Sequence, residues 1–258
     1  MRLDVYLYSE GLAKSRSRAA SLIAGGFVTV NGVAVTKASY AVEDNDSIAV
    51  TGEEHPFVGR GGMKLDAALE QFGIDVTGLV CADIGASTGG FTDCLLRRGA
   101  AHVYAVDSGH DQLDESLKND SRVTNMENCN ARYLTKELLG RVCDCAVADL
   151  SFISQTLILP AVSSVLSENG QYIALIKPQF ECGRTAIGKG GIVKDPKQHR
   201  EAVRQVLTAA NANGLAPQKL MKSPIQGGDG NTEFLFWAAK GKINLVTEND
   251  IAEAVKNK

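Results

Sequence analysis

No run in this 258-residue chain approaches the roughly 18 consecutive apolar residues that a membrane-spanning helix requires, and Met1-Arg2-Leu3-Asp4-Val5 lacks the charged-then-apolar order of a secretory leader. A cytoplasmic protein with no membrane role is expected. Paired cysteine spacing is missing too. Cys81, Cys94, Cys129, Cys143, Cys145 and Cys182 include no C-x-x-C, and most sit in apolar stretches where a free thiol behaves as a small hydrophobe. They read as reduced and structural. No histidine or second cysteine pair lies near Cys143-Asp144-Cys145 to complete four ligands, so no metal site is expected. An excess of positive charge is lacking as well: 27 Lys and Arg face 30 Asp and Glu, a formal charge of −3. Any nucleic-acid contact must therefore come from a local cluster rather than a global field. Neither an internal repeat nor a low-complexity tract is present, which leaves conventional domains.

The length allows one large domain or a small module plus an ordinary α/β domain. Residues 1–52 read as the small module. A short helix covers Leu3 to Tyr8. A second starts at Ser15, a suitable N-cap, with Ala19, Leu22 and Ile23 at helical spacing and Gly25-Gly26 to end it. The period then becomes alternating. Val28-Thr29-Val30, Asn31-Gly32 and Val33-Ala34-Val35 predict a hairpin, because Asn-Gly tolerates the positive φ of the tight turn, and Ser47 to Val50 adds a strand. Residues 53–60, rich in Glu and Gly with Pro56, read as a linker. A second domain follows over 61–246. In it the strand-like runs Leu79–Ile84, His102–Asp107, Cys145–Leu150 and Tyr172–Ile176 alternate with amphipathic segments, predicting an open, mostly parallel sheet with helices on both faces. Residues 247–258 read as a terminal helix that the pattern does not explain.

After the first of these strands comes Gly85-Ala86-Ser87-Thr88-Gly89-Gly90, leading into a helix from Phe91. Small residues at such a turn let a ligand lie against the backbone. About twenty residues on, the next strand ends in Asp107, where a carboxylate can accept hydrogen bonds from ribose hydroxyls. The pair predicts an adenosine-containing cofactor. The spacing is not the G-x-G-x-x-G of nicotinamide and flavin proteins, and Asp83 at the end of the first strand favours S-adenosylmethionine, although a nicotinamide enzyme stays open.

The ten residues from Asp83 to Thr92 resemble the cofactor motif of the TlyA (hemolysin A-like) ribosomal RNA 2′-O-methyltransferases, a branch of the FtsJ-like methyltransferases. Gly59 to Leu65, Ala148 to Ser154 and Lys177-Pro178-Gln179-Phe180-Glu181 are similar to that family as well, and residues 1–52 resemble the alpha-L RNA-binding domain first known from a small-subunit ribosomal protein. The resemblance implies a Rossmann-like class I methyltransferase sheet binding S-adenosylmethionine through Asp83, Gly85, Ala86, Ser87, Thr88, Gly89, Gly90, Phe91, Asp107 and Asp149. It also implies that the segment Glu127 to Arg132, through Glu127 and Asn130, bonds the adenine edge or shapes its pocket.

FtsJ-like enzymes use a Lys-Asp-Lys-Glu tetrad, matched here by Lys64, Asp149, Lys177 and Glu233. A ribose hydroxyl is a poor nucleophile until its proton is leaving. Two mechanisms stay open: Lys177 as general base, which must be uncharged at attack, or a tetrad that positions the hydroxyl and lets the proton leave after transfer. Taken singly, each of the four reads as an ordinary solvated charge. An aspartate between Ala146-Val147-Ala148 and Leu150-Ser151-Phe152 is the least ordinary of them.

For RNA, Lys14, Arg16 and Arg18 cluster at the start of the second helix, whose first amides favour phosphate, and Arg60 and Lys64 extend the basic set. Glu43-Asp44-Asn45-Asp46 and Glu53-Glu54 keep another face off RNA. Such contacts position a backbone without reading its sequence. Gly188-Lys189-Gly190-Gly191 reads equally as a mobile loop over RNA and as a plain surface loop. By resemblance the substrate is a cytidine of ribosomal RNA within a subunit; monomer and homodimer are both open. Competing readings are a non-catalytic ribosome-assembly factor, a small-molecule dehydrogenase and a hemolysin. The last lacks a spanning segment or barrel pattern.

Overall fold

A computed structural model describes residues 1–13, 15–51 and 56–256. The chain divides into two units, Met1–Gly59 and Arg60–Lys258.

In the first unit, α1 (Leu3–Ser9) and α2 (Arg16–Ala24) lie with a three-stranded antiparallel sheet of order β2-β1-β3, built from β1 (Val28–Val30), β2 (Val33–Ala34) and β3 (Ile48–Val50). Ser15 Oγ accepts from the Arg18 amide, so the expected N-cap forms. Asn31 and Gly32 take φ of 53° and 79°, the left-handed pair that the hairpin predicts. Leu3, Leu7, Ala19, Ile23 and Val28 make its core.

The second unit begins with α3 (Gly61–Phe72) and continues through β4 (Val80–Ile84), α4 (Gly90–Arg97), β5 (His102–Val106), α5 (Glu115–Lys118) and β6 (Val123–Met126). Then come α6 (Lys136–Leu139), β7 (Cys143–Ala148), α7 (Leu159–Val165), β8 (Leu166–Ile176) and α8 (Pro178–Glu181). The unit ends with α9 (Pro196–Ala212), β9 (Leu215–Lys222), β10 (Phe234–Lys240) and α10 (Glu248–Lys256). Seven strands form one sheet of order β6-β5-β4-β7-β8-β10-β9. The first five are parallel; β10 runs antiparallel to both neighbours. The predicted Rossmann-like α/β class is the observed one.

Burial explains why the strands read as continuous apolar runs. Every residue of β4 is buried, which marks a parallel strand covered on both faces. Ala82, Ile84, Ala146, Ala148, Tyr172, Ala174, Phe234 and Phe236 face one core with α7, α9 and α10. The alternate residues Cys81, Cys145, Val147, Ile173, Leu175 and Leu235 are buried on the other face, to which α3 and α4 belong. α9 is set by Asp195, whose side chain caps the Lys197 amide, by Pro196 at its first position and by Ala202, Val203, Val206, Leu207 and Ala210 on one stripe.

Two expectations shift. The strand predicted over Cys145–Leu150 runs from Cys143 to Ala148, so Asp149 and Leu150 lie past its end. The strand predicted from Tyr172 starts at Leu166, with a register shift against β7. β9 has no apolar run to announce it, since Pro217, Lys219 and Lys222 suit an edge strand that is wet on one side. The terminal helix gains its reason here. Thr247 and Asp250 exchange capping hydrogen bonds, Ile251 and Ala254 are buried, and Glu248 accepts from Nε and Nη2 of Arg204.

Candidate active site

Parallel strands bring their C-terminal ends to one edge of the sheet, and loops there carry chemistry. Ala148 ends β7 and Ile176 ends β8, so Asp149 and Lys177 emerge side by side. Glu233 precedes β10, yet it reaches the same edge because β10 is antiparallel and Phe234 pairs with Ile176. Lys64 arrives from a fourth direction. Read singly as a solvated charge, it lies instead inside the first turns of α3, buried with Leu65 and Ala68 on the inward face.

The four charges meet. Lys64 Nζ is 2.5 Å from Glu233 Oε2 and 3.9 Å from Asp149 Oδ2, while Lys177 Nζ is 2.6 Å from Asp149 Oδ1 and donates to Ser151 Oγ at 3.0 Å. Asp149 thus bridges two ammonium groups. The Lys64 and Glu233 side chains are 8% and 2% exposed, whereas Asp149 keeps 20%. The pair toward the core is shut off from water, and the Asp149–Lys177 end opens outward.

Beside this constellation runs the glycine turn. Gly85 has φ of +82°, and a β-carbon on it would stand 2.9 Å from the Asp149 carbonyl oxygen. Gly89 has φ of +97°, and a β-carbon there would collide with Leu117 and Leu113. At the far side of the turn the Asp107 carboxylate accepts from the Ser87 and Gly109 amides. These two glycines let the turn pack closely against Asp149, Leu113 and Leu117 as it runs between Asp107, at the tip of β5, and Asp149, past the tip of β7. The N-terminus of α3 closes over it, with Gly61 close to Asp149 Oδ2 and the Phe91 ring.

Asp83, fully buried in β4, accepts from Thr92 Oγ1 at 2.7 Å, but its Oδ1 has no partner. Burial pushes this carboxyl up to about 7, against the opposing Thr92 hydrogen bonds. The orphaned Asp83 oxygen, in the strand that leads into the glycine turn, fits the α-ammonium of S-adenosylmethionine, and the Asp107 carboxylate fits a ribose diol.

Glu127 and Asn130 lie beside Asp107 through the Cys129 amide, which bonds the Asp107 carbonyl. Their side chains are already engaged. Glu127 accepts the amides of Asp111, Gln112 and Leu113, and these bonds pull its carboxyl down to about 2. Asn130 Oδ1 takes the Arg132 amide and Nε. Both organise loops around the expected adenine region. Arg16 is exposed but pairs with Asp4, Arg18 donates to the Phe57 carbonyl, and Arg60 donates to the Gln226 carbonyl; Lys14 lies outside the described residues. Within the exposed Gly188 to Gly191 segment, Lys189–Gly191 makes a single 3-10 turn kinked at Gly190, whose φ is 75°.

Two groups escaped the sequence reading. Phe152 is 92% exposed, takes φ of +65° and packs at 5.3 Å on Phe180, three residues past Asp149. A large aromatic held in water by a left-handed backbone needs a function. Its signal was an aromatic in a loop after an acid, where helix or strand burial could not be demanding it. Glu181 is buried and accepts from Ser154 Oγ and the Gln155 amide; Gln155 in turn bonds Tyr172 and the Leu175 carbonyl. This network ties the loop after β7 to the segment after β8. Its burial raises the Glu181 carboxyl above the usual range.

Known proteins resemble this chain over nearly its whole length. Residues 57–240 match the model of the FtsJ-like methyltransferases and residues 1–48 that of the S4 domain. The Mycobacterium tuberculosis 16S/23S rRNA (cytidine-2′-O)-methyltransferase TlyA is 43% identical over 255 residues, 98% of this chain and 95% of that protein. This chain belongs to the TlyA family of FtsJ-like methyltransferases. Hemolysin A of Brachyspira hyodysenteriae is a further relative of this TlyA-family chain, 43% identical over 91% of it and 98% of the relative. A solved Streptococcus thermophilus structure described as a candidate hemolysin matches at a TM-score of 0.80 and 40% identity, covering 99% of this TlyA-family chain and 94% of the other. No helix among the described residues is long and apolar enough to cross a membrane.

Proposed function

We propose that this chain transfers the methyl group of S-adenosylmethionine to the 2′-hydroxyl of a cytidine in ribosomal RNA, presented within a ribosomal subunit in the cytoplasm. The observation that carries the reading is the convergence of Lys64, Asp149, Lys177 and Glu233 beside the glycine turn after β4. Asp83, the turn from Gly85 to Phe91 and Asp107 would hold the cofactor. When bound, it supplies a methyl group already activated as a sulfonium electrophile.

The chain's own task is then the hydroxyl. Lys177 is the group at the open end of the cluster, and Asp149 and Ser151 fix its nitrogen in place from two sides. An ammonium so held orients the 2′-hydroxyl by donating to its oxygen; Lys177 takes the hydroxyl proton only after releasing one of its own, and otherwise that proton leaves once the methyl group has transferred. Lys64, neutralised by Glu233 in the dry part of the site, keeps Asp149 turned toward both ammonium groups. Phe152 offers its face to a base taken out of the RNA stack; aromatic side chains hold unstacked bases in this way without needing a sequence code. The first unit, by its likeness to the S4 domain, would contribute Arg16 and Arg18, together with Lys14, to phosphate contacts, with Arg60 adding one from the second unit.

The test is transfer of labelled methyl from S-adenosylmethionine to purified small and large subunits from a strain lacking this gene. Wild type is expected to label RNA, while Lys177→Ala and Asp149→Ala bind the cofactor by titration calorimetry but leave RNA unlabelled. Cofactor binding with no label on any subunit would replace this reading with a non-catalytic assembly factor. Binding of a nicotinamide dinucleotide in place of S-adenosylmethionine would replace it with a dehydrogenase.

A further inference from the structure

Gly227 lies in the loop between β9 and β10, outside every motif discussed above. A β-carbon added there would stand 2.5 Å from Glu233 Oε1 and 3.1 Å from its Cδ, closer than real contacts allow. The φ of Gly227 lies outside the left-handed range, so the residue is demanded by space and not by backbone conformation. The backbone around it cannot retreat easily. The Gly227 amide bonds the Asn231 carbonyl at 3.0 Å, and the Gly227 carbonyl receives the Gly230 amide at 2.9 Å. Asn231, 1% exposed, is itself fixed by the Val193 amide and the Gly191 carbonyl. The Ser223 amide holds the Glu233 carbonyl at 2.9 Å. Something must give, and the free end is the Glu233 carboxylate.

We propose that Gly227 is a positioning residue: its missing β-carbon is the seat in which the Glu233 carboxylate rests while it reaches Lys64. A side chain at this position drives the carboxylate off its seat. Lys64 then has Asp149, now 3.9 Å away, as its remaining acid and draws it from Lys177. The disturbance passes from a loop glycine to the amine that faces the substrate. The inference rests on Glu233 belonging to the catalytic cluster, as set out under the proposed function.

Methyl transfer to subunits, S-adenosylmethionine affinity and melting temperature are measured for Gly227→Ala, Gly228→Ala, Glu233→Asp, Glu233→Ala and the double variant Gly227→Ala/Glu233→Asp. Gly228 is the control, since a β-carbon there meets nothing within 4 Å. Gly227→Ala is expected to lose about 10²-fold in kcat, the cost of a misplacement near 1 Å, with cofactor affinity unchanged and a fall in melting temperature no larger than that of Glu233→Ala, since the buried Lys64–Glu233 pair is loosened. Gly228→Ala keeps the wild-type rate. Glu233→Asp loses activity alone because it is too short for Lys64, and adding Ala at 227 costs nothing more, because the shorter carboxylate has left the seat. The proposal is overturned by a wild-type rate in Gly227→Ala, by an equal loss in Gly228→Ala, or by losses that simply multiply in the double variant. A wild-type rate in Glu233→Ala would instead remove the reading of the cluster beneath it.

Discussion

The buried half of the site makes a sharp prediction about stability. Lys64 and Glu233 are almost sealed from water and face each other at 2.5 Å. Removing one partner of such a pair leaves an uncompensated buried charge, a loss of about 3–5 kcal/mol, whereas replacing both by apolar chains of similar volume is often neutral. The two single losses should differ. In Lys64→Met the Glu233 carboxylate has no other cation within ion-pair reach among the described residues, while in Glu233→Met the ammonium keeps Asp149 at 3.9 Å. The second unit is of a size for which 1 kcal/mol moves the melting point by about 2–4 °C, so Lys64→Met should melt about 6–20 °C below wild type. Glu233→Met should fall by less, and Lys64→Met/Glu233→Met should recover most of the drop. Thermal unfolding at fixed pH and salt reads all four proteins, and methyl transfer should be lost in the three variants alike. Melting of Lys64→Met within about 2 °C of wild type would refute the argument, because it would mean that less than about 1 kcal/mol rests on the pair.

Asp83 gives a pH-dependent counterpart. Its folded-state carboxyl titrates near 7, above the unfolded value, so its contribution is present below the usual carboxylate range and is lost as pH rises through about 7. Melting curves of Asp83→Asn and wild type from pH 4 to 8 should show the variant gaining on wild type as pH rises; a difference independent of pH would contradict the assigned burial. Phe152→Ala should raise KM for the ribosomal subunit by the equivalent of about 1–3 kcal/mol of stacking, leave cofactor affinity and melting unchanged, and be rescued by Phe152→Tyr. An unchanged KM would leave the exposed ring without its proposed role.

Much of the site was legible because its residues sit where period and composition change. The glycine turn stands out between a strand run and a helix run, and Asp149 stands out as an acid that interrupts apolar residues. Glu127 and Asn130 show the opposite case. Their types suit an adenine edge, but a carboxylate is equally satisfied by three consecutive loop amides, and which of these occurs depends on how the chain folds back past β6. Phe152 was read as part of a motif and left without a role, since exposure is not a property of a residue's own neighbourhood in sequence.

What the sequence by itself determined is local: the Asn31-Gly32 hairpin, the cap at Ser15, and the apolar strands whose run length requires cover on both faces. These follow from backbone preference and from the 2.0 and 3.6 residue periods, which act within a few residues. The tertiary structure alone decided that Glu233, at the start of a strand, shares an edge with Asp149 and Lys177 at the ends of theirs. The reason is the reversed direction of β10, a choice made by strand pairing across the whole sheet. That same choice buries Lys64 against the Glu233 carboxylate, a contact between residues 169 apart that no local pattern encodes.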